Sequence, residues 1–283
     1  MITVETIREV REITDSWAKQ GLTIGFVPTM GYLHAGHGSL IQRARRENDK
    51  VVVSIFVNPI QFGPNEDFER YPRDRERDRE ITEKAGADLV FAPSVEEMFP
   101  SPNKAFVDIS ELGEYLCGAK RPGHFRGVCT IVAKFFNIIR PDRAYFGEKD
   151  LQQLVIIERM VRDLSFDIEI VACPTVRDSD GLALSSRNSY LSVEERRAAR
   201  VVPDSLNLAR KALINGEKDP TVIKEIIAEK IATEPLAKVD YIEVVDAGLL
   251  KPISRIDGPV VVAIAVFIGS TRLIDHLAVE EGR

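Results

Sequence analysis

Cysteine is scarce in this chain of 283 residues, and its three cysteines match no paired motif. Cys117, Cys129 and Cys173 are odd in number and show no C-x-x-C spacing, which argues against both a disulfide framework and a zinc site. A reducing compartment is therefore expected. Long apolar runs are also absent. The longest, at residues 260–268, is far shorter than the roughly 18 residues that a membrane-spanning helix needs, and its β-branched residues predict a buried strand.

The chain has no excess of positive charge. Asp and Glu number 44 against 38 Lys and Arg, a formal net charge of −6 at pH 7. This balance argues against a general binder of nucleic acid or of membrane surfaces. Acidic residues are spread through residues 1–20, where a secretory signal would need an apolar centre. We expect a cytoplasmic protein that acts on small molecules.

The order of apolar segments predicts an α/β protein. Short apolar segments alternate with helical periodicity over the first half, which favours right-handed βαβ units on a parallel sheet. The predicted strands cover residues 22–27, 51–57, 88–92, 143–146 and 167–172, and the predicted helices include residues 4–17 behind a Thr3 cap, 128–139 and 151–164. This half is therefore predicted to be Rossmann-like.

The pattern changes after about residue 176. Charged helical segments at 193–214 and 221–232 precede strands at 239–245 and 259–268, which predicts a smaller α+β domain. The loop at 174–188 is the expected boundary. Residues 1–176 are thus predicted to form a Rossmann-like catalytic domain and residues 177–283 the smaller domain. At about 150 residues per domain, the length also allows two domains.

The segment 28-PTMGYLHAGH-37 stands where the first strand is expected to pass into a helix. Gly36 would let phosphate approach the backbone, the helix start offers unpaired N–H donors, and His34 and His37 add imidazole donors. Donors fixed around the α-phosphorus of a nucleotide stabilise the charge that grows there during attack. The H-x-G-H pattern therefore indicates a triphosphate site.

Two other interpretations of the histidine pair exist. The histidines could lie in a surface turn, or they could be metal ligands. A metal site would need a third ligand cluster, which is missing because the remaining histidines, His124 and His276, stand in unrelated contexts. The strand-to-helix context favours the nucleotide interpretation.

Two further segments carry polar residues that suit phosphate. The first is 147-GEKD-150, followed by two glutamines, directly after a predicted strand, and ligands of open parallel sheets collect beyond the carboxyl ends of strands. An ordinary exposed helix start is the alternative there, because acidic residues favour the positive end of a helix dipole. The second is 184-LSSRN-188 in the interdomain loop, where hydroxyls and a guanidinium would suit closure over phosphate oxygens.

Six segments occur in the order found in one enzyme family. They are the H-x-G-H segment, 58-NPIQF-62, 71-YPR-73, 121-RPGHFRGV-128, 146-FGEKD-150 and 184-LSSRN-188. On these segments the chain resembles the pantothenate synthetase (pantoate–β-alanine ligase) family over nearly its whole length. The resemblance implies a Rossmann-like parallel-sheet domain of the HxGH nucleotidyl-transferring type. It also implies a smaller α+β C-terminal domain that acts as a lid and is associated with a homodimer.

The resemblance implies an ATP-dependent ligase with two half-reactions. (R)-Pantoate would attack the α-phosphorus of ATP, giving pantoyl adenylate and pyrophosphate. β-Alanine would then attack the acyl carbon, releasing AMP and pantothenate, the precursor of coenzyme A. Mg²⁺ would accompany ATP, and the partners would be these small molecules rather than nucleic acid or membrane.

The resemblance also implies the residues of the site. The catalytic residues would be His37, His34 and Lys149. Gln61 and Gln153 would bind pantoate, and Gln61 would also contact β-alanine. The residues expected to bind ATP are Met30, Gly31, Tyr32, Leu33, His34, Ala35, Gly36, His37, Gly147, Glu148, Lys149, Asp150, Val176, Leu184, Ser185, Ser186 and Arg187.

Asp78 would be the magnesium ligand, as the acidic residue downstream of 71-YPR-73. Carboxylate oxygens suit Mg²⁺. Asp78 lies in the run 73-RDRERDRE-80, whose charges alternate in sign and which is most simply the solvated face of a helix.

Two rival functions stay open. One is an HxGH-type nucleotidyltransferase that leaves a nucleotide on a small phosphorylated acceptor. The other is a tRNA-binding relative of the class I aminoacyl-tRNA synthetases. The net charge of −6 disfavours tRNA binding, and so does the lack of lysine in 184-LSSRN-188.

Overall fold

The computed structural model describes residues 1–64 and 66–279. The chain divides into two compact units. The first comprises Met1–Gly113, Arg121–Glu148 and Gln153–Pro174, and the second comprises Glu114–Lys120, Lys149–Gln152 and the chain from Thr175 onward. The main division between the two units falls between Pro174 and Thr175. The two short segments that belong with the second unit were not expected, because contacts rather than chain order place them there.

The first unit is built on a parallel sheet in the order β1-β4-β3-β2-β5-β6. Its strands are β1 Ile2–Val4, β2 Ile24–Thr29, β3 Lys50–Ile55, β4 Leu89–Phe91, β5 Arg143–Gly147 and β6 Glu169–Cys173. Strands β2 and β3 are apolar and largely buried along their length, as expected where helices cover both faces of a sheet. The Rossmann-like prediction is confirmed, with most strand ends displaced by one or two residues.

Helices connect these strands. They are α1 Ile7–Lys19, α2 Ala35–Glu47, α3 Arg75–Ala85, α4 Val95–Met98, α5 Leu116–Lys120, α6 His124–Ile139 and α7 Leu151–Asp163, of which α5 and the first two residues of α7 belong to the second unit. The Thr3 cap was wrong. The cap of α1 is Thr6, whose hydroxyl accepts from the Glu9 amide, and the residues before it pair with β4 as β1. Val4 has helical spacing but is buried as a strand residue.

The second unit carries an antiparallel sheet in the order β7-β8-β9. Its strands are β7 Ala237–Asp246, β8 Val260–Ile268 and β9 Thr271–Val279, and its further helices are α8 Val193–Ala198, α9 Val201–Ile214 and α10 Pro220–Ala232. The single helix expected at 193–214 is two helices. Proline is tolerated only in the first turn of a helix, so a new helix begins just before Pro203. Strand β9 was not predicted, because the inward-facing Asp275 breaks its apolar alternation.

The three cysteines are free and buried. Burial raises the pKa of the Cys129 thiol to about 12 and that of Cys173 to about 11. Both thiols are therefore protonated at neutral pH. Across the described part of the chain, no helix combines the length and apolar character needed to cross a bilayer.

Candidate active site

The H-x-G-H segment begins at a carboxyl edge of the first unit's sheet. Strand β2 ends at Thr29, and its neighbour β5 ends at Gly147, with both strands running in the same direction. The chain proceeds from β2 to one side through β3 and β4 and places β5 on the other side. Such a switch in strand order leaves the crevice where ligands of open α/β sheets bind.

His34 and His37 are joined through the backbone at the start of α2. His34 is the N-cap residue, and its Nδ1 accepts from the Gly36 amide at 3.1 Å. The Nδ1 of His37 accepts from the His34 amide at 3.3 Å, and the two ring centroids are 4.1 Å apart. Since an amide N–H only donates, each Nδ1 is an acceptor and the proton of each neutral ring lies on Nε2. Both rings are thus fixed as Nε2–H donors at a helix N-terminus, the usual place for an anion.

The turn before these histidines is fixed by helix α3. The Asp78 carboxylate accepts from the Tyr32 amide at 3.0 Å and from the Leu33 amide at 2.6 Å. Arg77 donates from Nε to the Leu33 carbonyl at 2.9 Å, and its guanidinium lies 4.8 Å from the centre of the Tyr32 ring. The charged run is therefore not only a solvated helix face.

The surroundings of Asp78 do not fit a magnesium site. Both of its oxygens already accept backbone N–H bonds, and its residue is only 2% exposed. Within residues 1–64 and 66–279, no group of three or more His, Cys, Asp or Glu side chains could hold a metal ion.

Gln61 ends a short 3-10 turn, Pro59–Gln61, and is buried with a fixed side chain. Its Oε1 accepts from Asn58 Nδ2 at 2.9 Å, and its Nε2 contacts the sulfur of Met30 at 3.2 Å. Asn58 also donates to the Gly127 carbonyl at 3.2 Å. The predicted pantoate residue Gln61 and the predicted ATP residue Met30 thus meet in this structure.

The backbone carbonyl of Gln61 accepts from two further side chains. His124 donates from Nδ1 at 2.9 Å, and its Nε2 accepts from Arg121 at 2.9 Å. Arg121 also reaches the Gln61 carbonyl at 3.4 Å and forms a two-point ion pair with Glu66. Burial alone would raise the pKa of Glu66, but the bond and charge of Arg121 outweigh it and lower the pKa. A carboxylate–guanidinium–imidazole chain therefore holds this turn.

Strand β5 ends at Gly147, and a 3-10 turn, Glu148–Asp150, leads from it into α7. Gln153 is half-buried on the first turn of α7, in the first unit with Gly147 and Glu148. Lys149 and Asp150 are grouped with the second unit, and the Lys149 ammonium lies 3.5 Å from the Asp150 carboxylate.

The predicted interdomain loop is a hairpin of the second unit. Val176 accepts from the Leu184 amide at 2.9 Å, and Gly181 turns the chain with a φ of +89°. Arg177 forms a two-point ion pair with the buried Asp275, at 2.6 and 2.9 Å, and also donates to the Gly181 carbonyl.

The hairpin leads directly into the serine-rich segment. Ser185 caps the 3-10 turn Ser186–Tyr190 by accepting from the Arg187 amide at 3.3 Å, and Ser186 is buried. Arg196 of α8 bonds to Asp178 at 2.9 Å and to Asp180 at 2.7 Å. The segment from Leu184 to Arg187 is therefore held by hydrogen bonds within the second unit.

Sequence reasoning gave no role to several residues that shape the site. Asn58 and Gly127 were quoted only as parts of motifs, and Glu66 was not considered, whereas the resemblance made Arg121 and His124 candidates for a loop that faces the substrates. A motif indicates that a residue belongs to a site, but a supporting contact between residues 55 positions apart leaves no local pattern.

The chain is similar to known ligases along its length. A family model described as "Pantoate-beta-alanine ligase" matches residues 2–278. A pantothenate synthetase of Clostridium acetobutylicum is 60% identical over 273 residues, covering 96% of this chain and 97% of that protein. One of Enterococcus faecalis is 59% identical over 280 residues, covering 99% of each.

Solved structures agree with these matches. The pantothenate synthetase of Thermus thermophilus superposes with a TM-score of 0.92 at 47% identity, covering 98% of this chain and 99% of that one. A pantoate-beta-alanine ligase of Francisella tularensis, complexed with β-γ ATP and β-alanine, gives a TM-score of 0.81 at 35% identity, covering 98% and 97%.

Proposed function

We propose that this chain, which belongs to the pantoate-beta-alanine ligase family and is a ligase, joins (R)-pantoate to β-alanine with ATP to make pantothenate. The observation that carries the proposal is the pair His34 and His37, whose Nδ1 atoms are engaged by backbone amides so that both rings present Nε2–H. Two neutral donors at a helix N-terminus suit the oxygens of a polyphosphate.

The proposed reaction has two steps. A pantoate carboxylate oxygen attacks the α-phosphorus of ATP, the bond to the β-phosphate oxygen breaks, and pyrophosphate leaves. The amine of β-alanine then attacks the acyl carbon of pantoyl adenylate, the acyl carbon–oxygen bond breaks, and AMP leaves as the nitrogen loses a proton. Donors already in place lower the first barrier, because negative charge grows on the departing pyrophosphate.

The histidines would serve as hydrogen-bond donors rather than as acids. To donate as an imidazolium, each ring would need a proton on Nδ1, where a backbone amide already donates. A neutral ring that gave up its Nε2 proton would become an anion. His34 and His37 therefore stabilise phosphate charge electrostatically in this proposal.

The remaining site residues are proposed on the resemblance. Lys149 would add a point charge to the phosphates, and Gln153 would bind pantoate beside Gln61. Gly147, Glu148, Asp150, Val176 and Leu184 to Arg187 would complete the ATP contacts. Mg²⁺ would enter with the ATP phosphates. The homodimer, the lid role of the second unit and the cytoplasmic location stay predictions.

Exchange of labelled pyrophosphate into ATP tests the reaction. We expect exchange with the purified protein that depends on (R)-pantoate and does not require β-alanine, because adenylate formation is reversible. Absence of pantoate-dependent exchange would contradict the proposal. A stable nucleotide-containing product on a phosphorylated acceptor would instead indicate a nucleotidyltransferase, and retarded tRNA at physiological salt would indicate a synthetase relative.

Gln61→Ala is expected to raise the KM for pantoate by about 10- to 100-fold. Gln61 supplies a fixed, buried amide, and loss of a buried hydrogen-bonding group costs about 1–3 kcal/mol. Steady-state kinetics with varied pantoate at saturating ATP measure this effect. Gln42→Ala, which removes an exposed glutamine, is the matched control. Unchanged pantoate kinetics in Gln61→Ala would remove Gln61 from the pantoate site.

A further inference from the structure

Asp78 is a buried carboxylate that bonds to residues 45 and 46 positions earlier in the sequence. Its two oxygens accept from consecutive amides, Oδ2 from Tyr32 at 3.0 Å and Oδ1 from Leu33 at 2.6 Å. Burial raises the pKa of Asp78, and these two amide bonds oppose that rise. The two amide bonds thus offset part of the cost of burying the carboxylate, and they join it to the turn that leads to the histidine pair.

The turn adopts a conformation that needs such support. Gly31 has a φ of +81° and Tyr32 a φ of +51°, in the left-handed region. A residue with a Cβ is strained there by roughly 1–2 kcal/mol, and successive amides in this conformation converge on an anion. The Asp78 carboxylate is the anion on which the Tyr32 and Leu33 amides converge.

The fit between turn and carboxylate is tight. A Cβ on Gly31 would lie 2.8 Å from Asp78 Oδ2 and 3.0 Å from the side chain of Ile55. Arg77, the neighbour of Asp78 on α3, adds a bond to the Leu33 carbonyl. Helix α3 therefore contacts the turn through both an acceptor and a donor, and His34 follows the turn directly.

We propose that Asp78 is a positioning residue for the H-x-G-H segment and not a magnesium ligand. Its carboxylate fixes the turn at Gly31 to Leu33 and thereby sets the direction in which His34 and α2 begin. The inference rests on the proposed ATP site. Its effect on ATP binding is independent of magnesium, because the contact is made to the protein's own amides.

Hydrogen exchange of the unmodified chain tests the contact itself. Tyr32 and Leu33 lie outside the helices and strands, so their amides would exchange rapidly without the carboxylate. We expect both amides to be protected to an extent comparable with amides of α2, as measured by NMR. Rapid exchange at both amides would overturn the inference, whatever the reaction catalysed.

Asp78→Asn tests whether this contact affects the binding of ATP. We expect the dissociation constant of ATP to rise by about 10-fold both with Mg²⁺ and with EDTA, because a charged acceptor of two amides is lost. Glu76→Gln is the matched control. It removes an exposed acidic residue from the same first helical turn, so it reports any effect of the helix dipole alone. Thermal unfolding of both variants checks the fold.

The outcomes separate the possible roles. If Asp78→Asn loses affinity for ATP only when Mg²⁺ is present, Asp78 is a metal ligand. If the affinity is unchanged in both buffers, Asp78 has no effect on ATP binding. Either result overturns the proposal. If Asp78→Asn does not fold, Gly31→Ala is the alternative variant, because its methyl group would displace the Asp78 carboxylate from the turn. We expect the same loss with Mg²⁺ and with EDTA, and wild-type affinity would overturn the proposal. ATP binding without pantoate-dependent exchange would contradict the proposed function alone.

Discussion

His37→Ala is expected to lower the turnover number by about 10²- to 10⁴-fold, the range found when a donor to a charged transition state is removed. His37 accepts the His34 amide through Nδ1, so its ring is held with Nε2–H as the donor. Alanine removes both the Nε2–H donor and the acceptor of the His34 amide. Single-turnover measurement of pyrophosphate release, with saturating ATP and pantoate, isolates the step in which pantoyl adenylate forms. Near-normal turnover would exclude His37 from the mechanism.

Two further substitutions separate the functions of the two ring nitrogens. Asparagine places an acceptor close to the position of Nδ1, so His37→Asn retains the bond from the His34 amide and lacks the distal donor. Glutamine places an amide N–H near the position of Nε2, so His37→Gln retains a donor. We expect His37→Asn to be nearly as slow as His37→Ala, and His37→Gln to retain more activity. The opposite order would mean that the residue matters chiefly as a helix cap.

Gly127→Ala is expected to destabilise the fold by about 1–3 kcal/mol and to raise the KM for pantoate at least 10-fold. A Cβ at this position of α6 would lie 2.3 Å from the Ile60 carbonyl oxygen and 2.6 Å from Gln61 Cα. Both neighbours are backbone atoms, so the turn that carries Gln61 must move. Urea unfolding and pantoate kinetics measure the two effects.

Gly38→Ala is the control for the stability measurement. Gly38 lies inside α2, and a Cβ there would meet its nearest neighbour at 3.9 Å. In a helix interior, alanine is favoured over glycine by about 1 kcal/mol where it has room. We therefore expect Gly38→Ala to leave stability unchanged or to increase it. Equal stability of Gly127→Ala and the natural chain would show that the contact with the Gln61 turn is not tight.

The fold could be predicted where its signals are local. The apolar strands β2 and β3, the glycine-rich turn and the helix behind it appear in that order in both sequence and structure. The 147-GEKD-150 segment also begins at the last residue of its strand. Helix boundaries were less certain, because Val4 has helical spacing but pairs as a strand residue.

The supporting contacts of the site could not be predicted, because they join distant parts of the chain. Asp78 stands in a run of alternating charges that is typical of a solvated helix, and only folding brings it against Tyr32 and Leu33. The pair of Arg177 with Asp275 spans 98 residues. Sequence patterns identified the residues expected to meet the substrates, whereas the residues that fix their geometry became visible only through hydrogen bonds.

The burial of the three cysteines determines how the chain can be labelled. Maleimides and disulfide reagents react with thiolates that they can reach, whereas Cys129 and Cys173 are protonated at neutral pH and all three thiols are enclosed. The thiols of the folded chain should therefore be nearly unreactive towards these reagents. One cysteine introduced on the surface would be the single reactive position, and a fluorophore or spin label could be attached without removing the native thiols.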